Sequence, residues 1–361
     1  MTEEMGRYSD AVKSKLVKKL DDGTHIYEGT LCHPWTVEAV SHGGEYCIST
    51  LPAVTFIERI PSKQQGYLMG CIIQAVISFQ SNSSPKQLDP IHISSHYLNP
   101  SHPGQFEVHV RPHRLGRRYS NITADLFQQG NMCITSRVIV GTLPDPSKIP
   151  EDRSMPSLAL PHPFATRIPF RSHPAAGNID QLPSKLVFRD CLKSSFDHAV
   201  AERTLEKMKN PADSDGGLDH AQWYQLLGEK DGERVGLPAI PFFADLCRNT
   251  PGILPKDIAA PDSLIRSWFP TLVLNLEFKL SLSSLPGYIS PTTFGVFSVG
   301  RFIWQGRHEV RSEVWTSPSE IGTGGRVDPD WREKQFCVAI ATQMALSIPI
   351  EVNKRKAKSN L

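Results

Sequence analysis

Apolar and polar residues alternate with a period of two along four successive segments of the first half, "DPIHISSHYLN", "GQFEVHVRPHRLG", "RRYSNITADLFQQG" and "NMCITSRVIVGTL". That spacing predicts strands with one face turned to a core. Ahead of them, "GYLMGCIIQAVISFQ" is long and mostly apolar, as a buried helix would be. The second half repeats the order, with a helix in "LPAIPFFADLCRN" followed by strands in "FPTLVLNLEFKLSL", "TTFGVFSVGRFIWQG", "RHEVRSEVWTS" and "QFCVAIATQMALSIP". A Gly-Arg turn recurs as Gly116-Arg117 and Gly306-Arg307. The pattern predicts an α+β fold made by duplicating one helix-on-antiparallel-sheet unit.

The two units are expected over residues 20–146 and 185–352. A proline-rich connection over 147–184 separates them, and a basic tail over 353–361 follows. At 361 residues the chain suits two domains. Hydrophobic residues make up 39%, charged residues 21%, and the formal charge is +2. This balance gives no bias toward nucleic acid or a membrane surface. The seven cysteines are scattered and never spaced as C-x-x-C, which argues against a disulfide framework or a zinc knuckle. No apolar run is long enough to span a membrane and "MTEEMGRYSDAVKSK" lacks a signal-peptide core, so a cytoplasmic protein is expected. The terminal Ser-Asn-Leu differs at one position from the S-K-L peroxisomal address, which makes peroxisomal import the alternative.

The usual nucleophile elbow, phosphate loop, dinucleotide fingerprint and H-E-x-x-H motif are all missing. His92 and His96 would share a face of a strand but have no third ligand at a suggestive spacing, so no metal and no cofactor are expected. Three polar residues stand where the second half should be apolar: Asp245 in "PFFADLCRN", Thr271 opening "TLVLNLEF" after a proline, and Gln343 in "FCVAIATQMALSI". A carboxylate in such a helix is costly unless it is hydrogen-bonded or functional, or simply lies on the exposed face.

Together these residues resemble the water-activating trio of the thioesterase II family, the double-hotdog acyl-CoA thioesterases. "PTLVLNLEF" is also similar to fungal and actinobacterial thioesterase-like members. The resemblance implies two tandem hotdogs, each an antiparallel sheet wrapped around a helix, with Asp245, Thr271 and Gln343 catalytic in the second. It implies hydrolysis of acyl-CoA or a carrier-bound acyl thioester by general-base activation of water, a place in lipid or secondary metabolism, and possible homo-oligomers.

By resemblance to the H-G-G opening of some single-hotdog thioesterases, His42, Gly43 and Gly44 would bind substrate as part of an oxyanion site; a structural turn is the other reading. The first half has no carboxylate on its helix, and Arg137 stands about where Gln343 falls in the second, so one catalytic centre per chain is expected. Arg114, Arg117 and Arg118 could meet coenzyme A phosphates, although a repeated turn explains them equally well. The alternatives are a catalytically silent acyl-thioester-binding protein and a hotdog hydratase or dehydratase. The latter would need a His five residues after Asp245, where Thr250 stands.

One stretch interrupts the repeat. Deleting residues 45–66 joins "VSHGG" to "YLMGCIIQAV", a continuous glycine-pair opening to the helix, and the excised piece has no counterpart in the second half. It is expected to be an insertion or a translated retained intron, looping out with little packing.

Overall fold

Alternating segments pair edge to edge because each can bury one face only against a common helix layer. The computed structural model describes residues 7–32, 35–39, 60–63, 65–83, 87–146, 158, 160, 162–182, 186–210, 212, 214–229, 233–254 and 267–349. The first half contains α1 (Tyr8–Ala11), β1 (Ser14–Lys19), β2 (His25–Leu31), β3 (Thr36–Ala39), β4 (Ile60–Lys63), α2 (Gln65–Ser81), β5 (Asp89–Tyr97), β6 (Gly104–Arg114), β7 (Ser120–Gln128) and β8 (Asn131–Gly141). The second contains β9 (Leu192–Phe196), α3 (His198–Lys209), β10 (Leu218–Leu226), α4 (Ile240–Asp245), α5 (Thr250–Ile253), β11 (Ser267–Trp268), β12 (Thr271–Phe278), β13 (Thr293–Gly300), β14 (Ile303–Trp304), β15 (Arg307–Thr316), β16 (Cys337–Leu346) and β17 (Ile348–Pro349).

One 13-stranded sheet runs β1-β2-β6-β7-β8-β5-β12-β16-β15-β13-β10-β9, with β14 attached to β15. The order reads alike from either edge, so the halves are related by a pseudo-two-fold through the antiparallel β5–β12 seam, where Ser94 lies opposite Asn275. The eight strands read from sequence all form. The sheet starts at Ser14, ahead of the boundary expected at residue 20, because β1 pairs with β2 from Ser14↔Gly29 onward.

Helix α2 is buried nearly all round, with Tyr67, Met69, Ile72, Ile73, Ala75 and Val76 all inaccessible. Such a helix is stable only when wrapped, and each fully buried large side chain contributes roughly 1.5–3 kcal/mol. It lies against α4 and the 3₁₀ turn Leu237–Ala239 that leads into it. The approach is close: a Cβ on Gly66 would stand 2.2 Å from the Pro241 carbonyl oxygen, and one on Gly70 2.4 Å from that of Pro238. The second-half helix is shorter than the sequence pattern suggests, since α4 ends at Asp245.

Two departures from the repeat pack against the outer face of the second half. Between β9 and β10, where the first half makes a tight turn, α3 packs on the outside of the sheet; Asp197 caps it and Thr204 Oγ1 donates to the Asp219 carbonyl at 3.0 Å. The described part of the proline-rich connection also packs, burying Ile168 and Phe170 among Trp223, Trp315 and Trp331. No helix among the described residues is long and apolar enough to cross a membrane. The terminal Ser-Asn-Leu lies outside the described residues.

Candidate active site

Asp245 is the last residue of α4, and the helix end that carries it is tied down from two sides. Ser312 Oγ on β15 donates to the Ala244 carbonyl at 3.1 Å, and Tyr224 Oη on β10 donates to the Leu246 carbonyl at 3.1 Å. Thr271 opens β12 and lies opposite Ala345 on β16; after a bulge, Leu274 lies opposite Gln343. Both side chains turn to the face of the sheet that carries α4.

The three polar residues read from the sequence meet there. Gln343 Nε2 donates to Asp245 Oδ1 at 2.9 Å and to Thr271 Oγ1 at 2.7 Å. An ionised carboxylate can only accept, so the amide nitrogen faces it, and the two hydrogens of Nε2 are then both used. The Thr271 hydroxyl accepts from Gln343 and keeps its own hydrogen for another acceptor. The second carboxylate oxygen, Oδ2, accepts from the Gly66 backbone N–H at 2.9 Å. Asp245 is thus held between the repeats, by an amide at the opening of the first-half helix and a side chain on the last long strand of the second.

Burial pushes the Asp245 carboxyl up to about 7, against the lowering effect of hydrogen bonds from Gly66, Gln343 and Gln65. A carboxyl with that affinity exchanges a proton readily near neutral pH, as a general base requires.

Tyr97, on β5, is a participant that sequence reading missed. Its Oη donates to the Gln65 carbonyl at 3.0 Å, fixing the turn whose next amide binds Asp245. Burial, and behind it the Asp245 charge, raises its phenol well above the ordinary value. Only its place two residues after Ser95 and four after Ile93, on the inward face of the strand, hints at it.

The other candidates fall elsewhere. His42, Gly43 and Gly44 lie outside the described residues. Of the segment 45–66, Ile60–Lys63 pairs with Thr36–Ala39, while Gln65 and Gly66 open α2. The described end of that segment is therefore strand and helix and not loop, while residues 45–59 and 64 lie outside the described residues. A chain without 45–66 would place Gly44 where Gly66 stands, so the position before Tyr67 is glycine either way. His92 and His96 are on the outer face of β5, away from Ile93 and Ser95.

Arg137 does not occupy the counterpart of Gln343. Gln343 faces Asp245 on the inner side of the sheet, whereas Arg137 alternates with the buried Ser136 and Val138. Arg137 faces outward to His113 and Thr123. Arg114, Arg117 and Arg118 cluster beside Ser120, at the Pro90 end of β5. Thr271 is near the Tyr97 end, roughly 23 Å away along the strand.

Residues 65–141, from the first residue of α2 to the last of β8, match the family model of the acyl-CoA thioesterase N-terminal domain. Over nearly the whole chain, the fold is similar to that of a hot dog fold protein of unknown function from Alicyclobacillus acidocaldarius, at 12% identity and a TM-score of 0.59, covering 94% of this chain and 97% of that one. It is likewise similar to the acyl-CoA thioesterase II TesB2 from Mycobacterium marinum, at 10% identity and a TM-score of 0.53, covering 95% and 97%. No curated protein matches at the sequence level. The chain is a double hotdog, and the repeat that matches the family model contributes an amide while the other contributes the acid, the amide side chain and the hydroxyl.

Proposed function

We propose that this double hotdog hydrolyses acyl-CoA or a related acyl thioester, using Asp245 as the general base for an attacking water. The observation that carries the reading is the cluster of Asp245, Gln343 and Thr271 joined by two hydrogen bonds, with the acid poised near neutrality.

The water lies between the carboxylate and the Thr271 hydroxyl. Its oxygen attacks the thioester carbonyl carbon while Asp245 takes its proton. Amides of the opening turn of α2 stabilise the oxyanion, the role first considered for His42, Gly43 and Gly44. When the carbon–sulfur bond breaks, the thiolate recovers the proton from Asp245, and a free acid and a thiol leave. No covalent acyl-enzyme forms.

The test is release of free thiol from a panel of acyl-CoAs from C2 to C18 by the purified chain. Turnover of at least one member, linear in enzyme and absent from a Gln343→Ala chain, is the expected result. Tight acyl-CoA binding without thiol release would favour a silent acyl-binding protein, and loss of neither activity nor binding in Gln343→Ala would remove the trio from the account.

A further inference from the structure

On the same face of the sheet a histidine sits beside the trio and takes no part in it. His308 on β15 lies opposite Ala345 on β16, and Thr271 on β12 lies opposite the same Ala345 from the other side. Thr271, Ala345 and His308 therefore form one row across three strands, with only a methyl group between two polar side chains. Two strand spacings put the backbones of Thr271 and His308 about 10 Å apart. Alternation along β15 shows that His308 faces inward. The register is unbroken as far as Ser312, four residues on, and Ser312 bonds to the end of α4.

His308 is only 2% exposed. Its Nδ1 faces Ser347 Oγ at 3.5 Å, its ring stands edge-on to Phe269, and its Nε2 has no hydrogen-bond partner among the described residues. Ser347 lies two residues beyond Ala345, toward the β14–β15 turn, so Nδ1 points to that turn and Nε2, on the other side of the ring, points away from it. Burial brings the ring down to about 4, which keeps it neutral, with one donor and one acceptor. A buried ring nitrogen without a partner costs stability, which a ligand carbonyl at that position would offset.

We propose that His308 contacts the substrate, its Nε2–H donating to the carbonyl of the first amide of a pantetheine arm. This rests on the thioesterase reading above. In such an arm four bonds separate the thioester sulfur from that amide carbon, which at about 1.2 Å of advance per bond is roughly 5 Å. A thioester carbon at the water held by the trio would then bring the amide over Ala345, toward the imidazole. The first amide is common to coenzyme A and to the phosphopantetheine of a carrier protein.

The experiment compares two thioesters of the same acid, one on N-acetylcysteamine and one on a simple alkane thiol without the amide, in wild type, His308→Leu and His308→Gln. Expected are a loss of about tenfold in kcat/KM for the amide-bearing ester in His308→Leu, little change for the amide-free ester, and partial recovery in His308→Gln, whose amide can donate from a similar place. Equal losses on both esters, or none on either, would overturn the inference while leaving hydrolysis intact. Calorimetric binding of an S-(2-oxohexyl) thioether of pantetheine separates the two claims. If wild type turns over neither ester but binds this analogue more tightly than His308→Leu does, the contact stands and the hydrolase reading falls; equal binding in the two chains would overturn the contact. Acyl-CoA and acyl-carrier-protein arms distinguish the source, and His308→Leu should slow whichever one wild type prefers.

Discussion

Asp245→Asn is expected to lower kcat/KM for thioester hydrolysis by about a thousandfold, within the 10²–10⁴ that a positioned general base contributes. The amide keeps the shape, but its nitrogen cannot accept from Gly66 or Gln343 as the carboxylate oxygens do, and it cannot take the water's proton. Its effect on stability should have the opposite sign. In the folded chain burial raises the Asp245 carboxyl to about 7, whereas an unfolded carboxyl titrates near 3.9. Between those values the folded state holds more protons than the unfolded one, so this group's contribution is full below about pH 4 and is lost as pH rises through about 7. Asn carries no such dependence. Thermal unfolding of the two chains at pH 5 and pH 8 should show the Asn chain gaining on wild type at the higher pH, by on the order of a few degrees. A wild type whose relative stability improves from pH 5 to pH 8 would mean that Asp245 is not buried as described.

Gly66→Ala is expected to have the largest effect on the fold of any single methyl group added at the site. The new Cβ would stand 2.2 Å from the Pro241 carbonyl oxygen and 2.7 Å from Asp245 Cβ. The first contact is with backbone, which cannot rotate away, so α2 and α4 must separate. Overpacking of this kind costs about 1–3 kcal/mol or more, and each kcal/mol lowers Tm by about 2–4 °C in chains of 150–250 residues. Separation also withdraws the amide that holds Asp245 Oδ2, so activity should fall at least about tenfold further than lost stability explains. Gly287→Ala is the control, because nothing lies within 4 Å of the added carbon. Differential scanning fluorimetry with a thiol-release assay on both variants reads the two effects, and a Gly66→Ala chain matching Gly287→Ala in both would refute the close helix approach.

The duplication and the eight long strands were legible because a strand buried on one face must alternate, and the same alternation occurs twice. Asp245, Thr271 and Gln343 were legible for the converse reason: each interrupts an apolar pattern where polarity needs a purpose. The tertiary partners were not legible. Gly66 looked like the edge of an inserted piece, because nothing local to "QQGYLMG" reveals that its amide faces a carboxylate 179 residues away. Tyr97 and His308 have the sequence character of ordinary core residues; a bond to the Gln65 carbonyl brings the first to the site, and strand register brings the second into the row with Thr271. Arg137 faces the opposite side of the sheet from Gln343, because a position along the sequence does not by itself fix which face of a strand a residue takes. Helix α3 was missed because its amphipathic residues sit where the first repeat has only a turn.

The central claim is that a buried carboxylate between the repeats activates water on a thioester. It is tested most directly by the pH dependence of kcat/KM for the best acyl-CoA substrate between pH 5.5 and 9, in wild type and Asp245→Asn. The account predicts a wild-type rate that rises with an apparent pKa near 7 and then levels off, and an Asn chain whose residual rate lacks that step. A wild-type profile that is flat through pH 7, or an Asn chain that keeps both the rate and the step, would contradict it.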